Sequence, residues 1–274
     1  MSGLIVVTGA STGIGRAAAQ RMALRGFEVL AGVRQEADAE AIRAERITPV
    51  LVDVTDAQQV AALRAAVGKR PLAGLVNNAG ISISGPLEFL PLDEISRQFE
   101  VNLFAHVAVT QQLLEPLRRA RGRIVNTGSV GARTPLPFTA PYAASKAALW
   151  AMGEALRGEL RPWGIHVATI EPGAIATEIW AKATDSAEAT VAALPERGRE
   201  LYGETLGKVG GIVENVSSGA ISPDKVADDI EHALTSPKPK DRYLIGKDAR
   251  QQVIARRVLG WKRFDAMLAR RMGI

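Results

Sequence analysis

The sequence predicts an α/β protein: a doubly wound parallel sheet flanked by helices on both faces, with a lid insertion late in the chain and a helical extension at its end. Three observations predict it. From residue 3 to residue 171, short β-branched runs alternate with longer alanine-rich segments of helical period. The strand candidates are near-continuous apolar runs, as burial on both faces demands. Alternation of this kind implies right-handed crossovers between parallel neighbours.

The elements follow in order. Leu4 to Thr8 is the first strand and Ile14 to Arg25 the helix after it; Glu28 to Val33 is the second strand. Ile47 to Val52 and the helix Ala57 to Val67 come next, then a strand from Gly74 to Asn77. A long helix from about Asp93 to Arg119, a strand Arg123 to Asn126, a helix from about Tyr142 to Leu160 and a strand Ile165 to Ile170 complete the alternating part. Residues 178–221 lack a clear strand and are too long for an ordinary connection, so they read as a lid or an irregular excursion. Ser222-Pro223-Asp224 starts a helix with a capping hydroxyl and a proline at its first position. Tyr243-Leu244-Ile245 suggests a last strand, and a basic helix covers 249–274. With no internal repeat and no dividing linker, 1–274 reads as one domain.

Composition narrows the function classes. The 274 residues are 47% apolar and 23% charged, enough to bury a full core. There is no cysteine, which removes disulfides, thiolate metal sites and thiol catalysis; His106, His166 and His232 are too scattered for a zinc spacing, so no metal is expected. The start Met-Ser-Gly runs straight into Leu4-Ile5-Val6-Val7 without a basic leader, so a soluble, cytoplasmic protein is expected. The net charge of +5 is concentrated after residue 246, which argues against a nucleic-acid-binding stripe.

Thr8-Gly9-Ala10-Ser11-Thr12-Gly13-Ile14-Gly15 stands where the first strand turns into the first helix. Glycines there let the backbone turn tightly and approach a pyrophosphate, and the helix N-terminus favours the anion. A dinucleotide is the natural ligand. No Gly-Lys-Ser/Thr follows, so this is not a nucleotide-triphosphate loop of the Walker type.

With this turn, Asn77-Asn78-Ala79-Gly80 after the fourth strand, Tyr142-Ala143-Ala144-Ser145-Lys146 opening a helix, and Pro172-Gly173 after the sixth strand, the chain resembles the short-chain dehydrogenase/reductase family over residues 3 to about 177. The resemblance implies a Rossmann-type sheet that binds a nicotinamide cofactor. It implies that Gly9, Ser11, Thr12, Gly13, Ile14 and Gly15 form the pyrophosphate turn, that Asp53 and Val54 meet the adenine, and that Asn78, Ala79 and Gly80 back the cofactor. It also implies that Pro172, Gly173, Ile175 and Thr177 hold the nicotinamide amide.

Cofactor choice is a charge question. A carboxylate ending the second strand accepts from a ribose 2′-hydroxyl and repels a 2′-phosphate, whereas an arginine accommodates the phosphate. The strand ends Ala31-Gly32-Val33-Arg34, with no carboxylate before Glu36. NADP(H) is therefore the expected cofactor, with Arg34 on the phosphate and Ser11 or Thr12 assisting; NAD(H) remains the alternative, since Gln35 and Glu36 reach the same place.

Tyr142 and Lys146 are four apart at a helix start, so they share a face. A cation about 5 Å from a phenol at an effective dielectric of about 20 is worth roughly 3 kcal/mol, or about two pKa units, which would bring it towards neutrality. That suits general acid-base catalysis. Ser129, 13 residues before Tyr142, resembles the family's catalytic serine and can hydrogen-bond a substrate oxygen. Asn102, an unusual mid-helix residue, completes the tetrad by resemblance, holding a water that links Lys146 to solvent. His106, one turn further, reads as structural or subunit-facing.

The expected reaction is hydride transfer between the nicotinamide and a secondary alcohol or ketone. Val130, Leu136, Pro137, Phe138, Ile81, Ile179, Trp180, Leu201 and Leu206 would line an apolar pocket, suited to a steroid-, retinoid- or lipid-like skeleton. The long lid and the Asp224 to Lys247 region, including Tyr243-Leu244-Ile245-Gly246-Lys247-Asp248-Ala249, look similar to the hydroxysteroid and retinol dehydrogenase-like branch of the family. A non-catalytic cofactor-sensing regulator and a sugar-nucleotide epimerase or dehydratase are the alternatives. A homodimer or homotetramer is expected by resemblance. The basic C-terminal helix can lie on an anionic membrane, but packing over the lid or on a neighbouring subunit is preferred.

Overall fold

The computed structural model describes residues 3–176 and 191–272. Seven parallel strands form one sheet in the order β3-β2-β1-β4-β5-β6-β7. They are β1 (Leu4–Val7), β2 (Glu28–Val33), β3 (Ile47–Leu51), β4 (Leu72–Asn77), β5 (Arg123–Thr127), β6 (His166–Pro172) and β7 (Arg242–Ile245). β1 lies between β2 and β4, so the winding reverses there and the carboxyl ends of β1 and β4 open a crevice, where ligands of such sheets bind. β3 carries Pro49, which lacks a ladder donor and is tolerated because β3 is an edge strand.

The helices are α1 (Gly13–Leu24), α2 (Glu36–Ile42), α3 (Ala57–Val67), α4 (Leu92–Phe99), α5 (Ala105–Ala120), α6 (Ala140–Leu160), α7 (Glu196–Ser218), α8 (Pro223–Thr235) and α9 (Lys247–Met272). One core on the sheet joins Met22 and Ile230 to Ile5, Val29 and Tyr243. The other joins Leu63, Leu113, Leu117 and Leu160 to Val6, Leu75 and Ile124. α3 begins where Asp56 accepts from the Gln58 and Gln59 amides. α8 begins where Ser222 accepts from the Asp224 amide, the cap read from the sequence.

Three elements differ from expectation. The long helix over 93–119 is two helices joined by a π-helical segment, Glu100–Phe104, which holds Asn102. Such insertions displace the helix by a residue and occur often at functional sites. The segment read as a lid contains a 23-residue helix, α7. α9 is interrupted at Gly260, whose φ of 69° and ψ of 171° redirect the chain. No helix among the described residues is long and apolar enough to cross a membrane.

Candidate active site

The glycine turn is shaped for an anion. Gly9 and Gly13 have φ of +62° and +55°, the left-handed region where side chains are strained. A Cβ on Gly9 would lie 2.7 Å from the Ala79 Cα, and one on Gly15 would lie 2.2 Å from the Gly9 carbonyl oxygen. Gly15 therefore serves the packing of α1 on the turn. Asn78 ties the two loops together: its amide donates to the Thr8 and Gly9 carbonyls at 3.1 and 3.0 Å, and the Thr8 hydroxyl accepts from the Asn78 and Ala79 amides. Thr12, at the N-cap, makes no side-chain cap bond, and the first turn of α1 holds no carboxylate. The first amides of α1 thus lack a side-chain acceptor, which fits a pyrophosphate.

Arg34 is exposed at the end of β2 and has no ion-pair partner among the described residues. The Ala10 amide donates to the Gly32 carbonyl at 2.9 Å, which sets Arg34 two residues beyond a direct tie to the glycine turn. Asp53 is partly buried, its carboxylate accepting from the Thr55 amide and hydroxyl, and Val54 is buried beside it. Thr12 and Gly13 share a cleft with Ala176 and Pro223. The segment after β6 therefore reaches the turn. Ile175 is buried and bridges to Ile221, so its part in the site is through its backbone. Thr177, Ile179 and Trp180 lie outside the described residues.

Sequence reasoning missed Asp248. Its carboxylate accepts from the Ala174 amide at 2.9 Å. Cβ atoms on Gly173 and Gly246 would lie 2.2 and 2.3 Å from its oxygens, so both glycines make room for it. Gly246 before a carboxylate at a helix start was the available signal; the partner strand end was not readable. Arg133 and Glu171 were missed similarly: they pair at 2.9 Å, with Glu171 buried at the end of β6, and bind the loop after β5 to the Pro172 turn.

Lys146 and Tyr142 meet as expected on one face of α6. The Lys146 Nζ lies 5.9 Å from the Tyr142 ring centroid and donates to the Thr127 carbonyl at 2.8 Å. Burial lowers the lysine pKa to about 8. The phenol departs from expectation. Burial raises its pKa above the ordinary value, and the Ser129 hydroxyl works in the opposite direction. Without cofactor, the desolvation that Lys146 would have to offset prevails, and Tyr142 keeps its proton at neutral pH.

Ser129 accepts from the Gly131 amide at 3.0 Å, which leaves its own hydrogen free to donate. A Cβ on Gly131 would lie 3.3 Å from the Ser129 Oγ and 3.8 Å from the Tyr142 ring. Gly131 thus keeps the space between the two hydroxyl-bearing side chains open, a role invisible in the sequence.

Asn102 is buried in the π segment and uses both ends of its amide. Its oxygen accepts from the Ile81 amide at 2.9 Å, and its nitrogen donates to the Ile81 carbonyl and the Ser145 hydroxyl. Its side chain therefore pins the segment after Gly80. A Cβ on Gly80 would lie 3.3 Å from the Asn102 oxygen and 3.6 Å from the Lys146 Nζ, so the three residues adjoin. His106 is buried, with Nε2 2.7 Å from the Ala79 carbonyl. Burial, then the Lys146 charge, hold its pKa at about 3, which keeps it neutral and structural.

The expected pocket segments converge. Tyr202 of α7 packs edge-on against Phe89 and Phe138, with centroids 5.9 and 6.2 Å away, and its hydroxyl donates to Glu88. The Gly85 amide donates to the Phe138 carbonyl. Leu201 and Leu136 are exposed rather than enclosed. No cluster among the described residues could hold a metal.

The family profile for short chain dehydrogenases matches residues 3–188. An NADPH-dependent 3-dehydrocapnine reductase from Ornithobacterium rhinotracheale is 34% identical over 252 residues, covering 88% of this chain and 87% of that protein. Retinol dehydrogenase 7 from Rattus norvegicus is 36% identical over 260 residues, covering 90% and 81%. A short chain dehydrogenase from Burkholderia cenocepacia, solved in complex with NADP, superposes with a TM-score of 0.73 at 27% identity, covering 98% and 97%. The family match and the relatives show it: the chain belongs to the short-chain dehydrogenase/reductase family and is an NAD(P)-dependent oxidoreductase.

Proposed function

We propose that this enzyme reduces a ketone on a bulky apolar skeleton, steroid-, retinoid- or lipid-like, to the secondary alcohol, with NADPH preferred and NADH as the alternative. The observation that carries the reading is the bridge from Phe89 through Tyr202 to Phe138, an aromatic cluster that joins the segment after Gly80 and α7 to the stretch between Ser129 and Tyr142. Such a lining gains free energy by covering apolar substrate surface, roughly 25 cal/mol per Å².

A nicotinamide, when bound, supplies the hydride. Tyr142 gives its phenolic proton to the carbonyl oxygen; a phenol that burial keeps protonated is ready as a donor. Ser129, its oxygen already anchored by the Gly131 amide, donates to the same carbonyl and polarises it. Lys146 has one donor on Thr127 and two left for ribose hydroxyls, and a pKa of about 8 lets it pass a proton towards Tyr142 near neutral pH. Arg34, exposed and without an ion-pair partner among the described residues, would hold the 2′-phosphate. One relative is named an NADPH-dependent reductase, which supports the cofactor, and another a retinol dehydrogenase, which supports an apolar substrate skeleton. The same reading makes the enzyme a homodimer or homotetramer assembled through α4 to α6, where Leu92 and Phe104 are 80% and 53% exposed.

A ketone panel with NADPH or NADH, followed by loss of reduced-nicotinamide absorbance, tests it. Steroid, retinoid and long-chain ketones should show the highest kcat/KM. Turnover confined to sugars or short hydroxy acids would refute the substrate class, and cofactor binding without turnover on any carbonyl would favour a sensing regulator.

A further inference from the structure

α9 packs on the protein with one face and presents a second apolar stripe to solvent. Its inner face holds buried Ala249 and Phe264, the Asp248 contact to Ala174, and Gln252, which accepts from the Thr134 hydroxyl at 3.0 Å. These contacts seat α9 on both loops that frame the candidate active site, and α9 also packs beside α7. Yet Ile254 and Val258, four apart before the break at Gly260, are 61% and 75% exposed on one helix side, and Trp261, just past the break, is 59% exposed with the Arg256 guanidinium stacked on its ring. Intramolecular packing therefore explains only the opposite face.

The cations around that stripe are unspent. Lys247, Arg250, Arg257, Lys262 and Arg263 are exposed and have no ion-pair partner among the described residues. From residue 247 onward stand eight of the chain's 34 cations and two of its 29 carboxylates, so the residues before 247 carry a net charge of −1. The net positive charge of the protein therefore resides on this C-terminal segment.

We propose that the outer face of α9 docks the enzyme on an anionic lipid surface, with Ile254, Val258 and Trp261 entering the headgroup boundary and the flanking lysines and arginines meeting lipid phosphates. Exposed apolar side chains and a tryptophan interleaved with unpaired cations match the chemistry of an interfacial segment. A second copy of the chain is disfavoured as the occupant, because a two-fold contact would set this positive surface against itself. Docking would bring the loops around Ser129 and Gly173 close to the bilayer. That consequence, the collection of an apolar substrate from lipid, rests on the function proposed above; the docking does not.

The test is flotation of the purified full-length protein with vesicles of phosphatidylcholine alone or with added phosphatidylglycerol, needing no substrate. The protein should float only with the anionic vesicles and be released by salt. Arg250→Glu with Arg257→Glu should lower the partition coefficient by at least tenfold, since each cation near such a surface contributes about fivefold. Ile254→Ser with Val258→Ser should also lower it at least tenfold, while turnover of a water-soluble ketone stays unchanged. Absence of flotation, or equal flotation with neutral vesicles, overturns the proposal. So does a fall in solution mass by light scattering in the serine variant, which would mark the stripe as an interface between copies. A substrate panel that refutes apolar ketones leaves the flotation result standing, so the two readings fail separately.

Discussion

Replacing Lys146 with methionine should change how stability responds to alkali more than how large it is at neutral pH. Burial lowers the lysine pKa from 10.5 to about 8. Between those values the unfolded chain binds a proton that the folded chain does not, so wild-type stability rises with pH through this window; below pH 8 both forms are protonated and the full penalty persists. At about 1.4 kcal/mol per pKa unit the penalty is about 3 kcal/mol. The methionine variant escapes it but leaves the Thr127 carbonyl without its donor, a cost of about 1–3 kcal/mol, so the two proteins should differ little at pH 7. Urea unfolding of the cofactor-free proteins at neutral and alkaline pH is the assay. Wild type should gain about 3 kcal/mol on the variant on going to pH 10.5, and the variant should lose turnover. Parallel stability profiles would show that Lys146 is not a buried cation held at a cost in free energy, and the reasoning would fail.

Other side chains give separate readouts. Gly131→Ala would press a methyl between the Ser129 hydroxyl and the Tyr142 ring, so kcat should fall on the order of tenfold with cofactor KM unchanged in steady-state kinetics; an unaltered kcat would deny the two groups their shared substrate oxygen. Asp248→Ala removes the acceptor of the Ala174 amide, so cofactor KM should rise by about tenfold while kcat changes less, and Asp248→Asn, which keeps an acceptor there, should recover most of the loss. Arg34→Asp should reverse the preference between the two nicotinamide dinucleotides in their kcat/KM ratio, and an unchanged ratio would place the 2′-phosphate elsewhere.

Much of this site could be read in the sequence because its parts are local. A Gly-rich turn flanked by a strand and a helix, and a tyrosine and lysine four apart at a helix start, carry their geometry in their spacing. Element order and the apolar character of the strands were legible for the same reason. What was not legible depends on partners distant in sequence. Asp248 makes sense only once Gly173 is seen 75 residues earlier in the chain, and Glu171 only beside Arg133. The π segment at Asn102 escaped because its period differs from an α-helix by one residue within an otherwise continuous helical pattern. The direction of the Tyr142 shift escaped too. Spacing reveals the nearby cation but not the degree of burial, which determines the sign.

The central claim is that Tyr142 supplies the proton to a carbonyl oxygen while Ser129 and Lys146 hold the reacting groups. Tyr142→Phe keeps the ring and removes only the hydroxyl, so NADPH binding followed by its fluorescence should stay within about twofold of wild type while kcat on the best ketone falls by at least ~100-fold. Turnover that survives the substitution with binding intact would contradict the account.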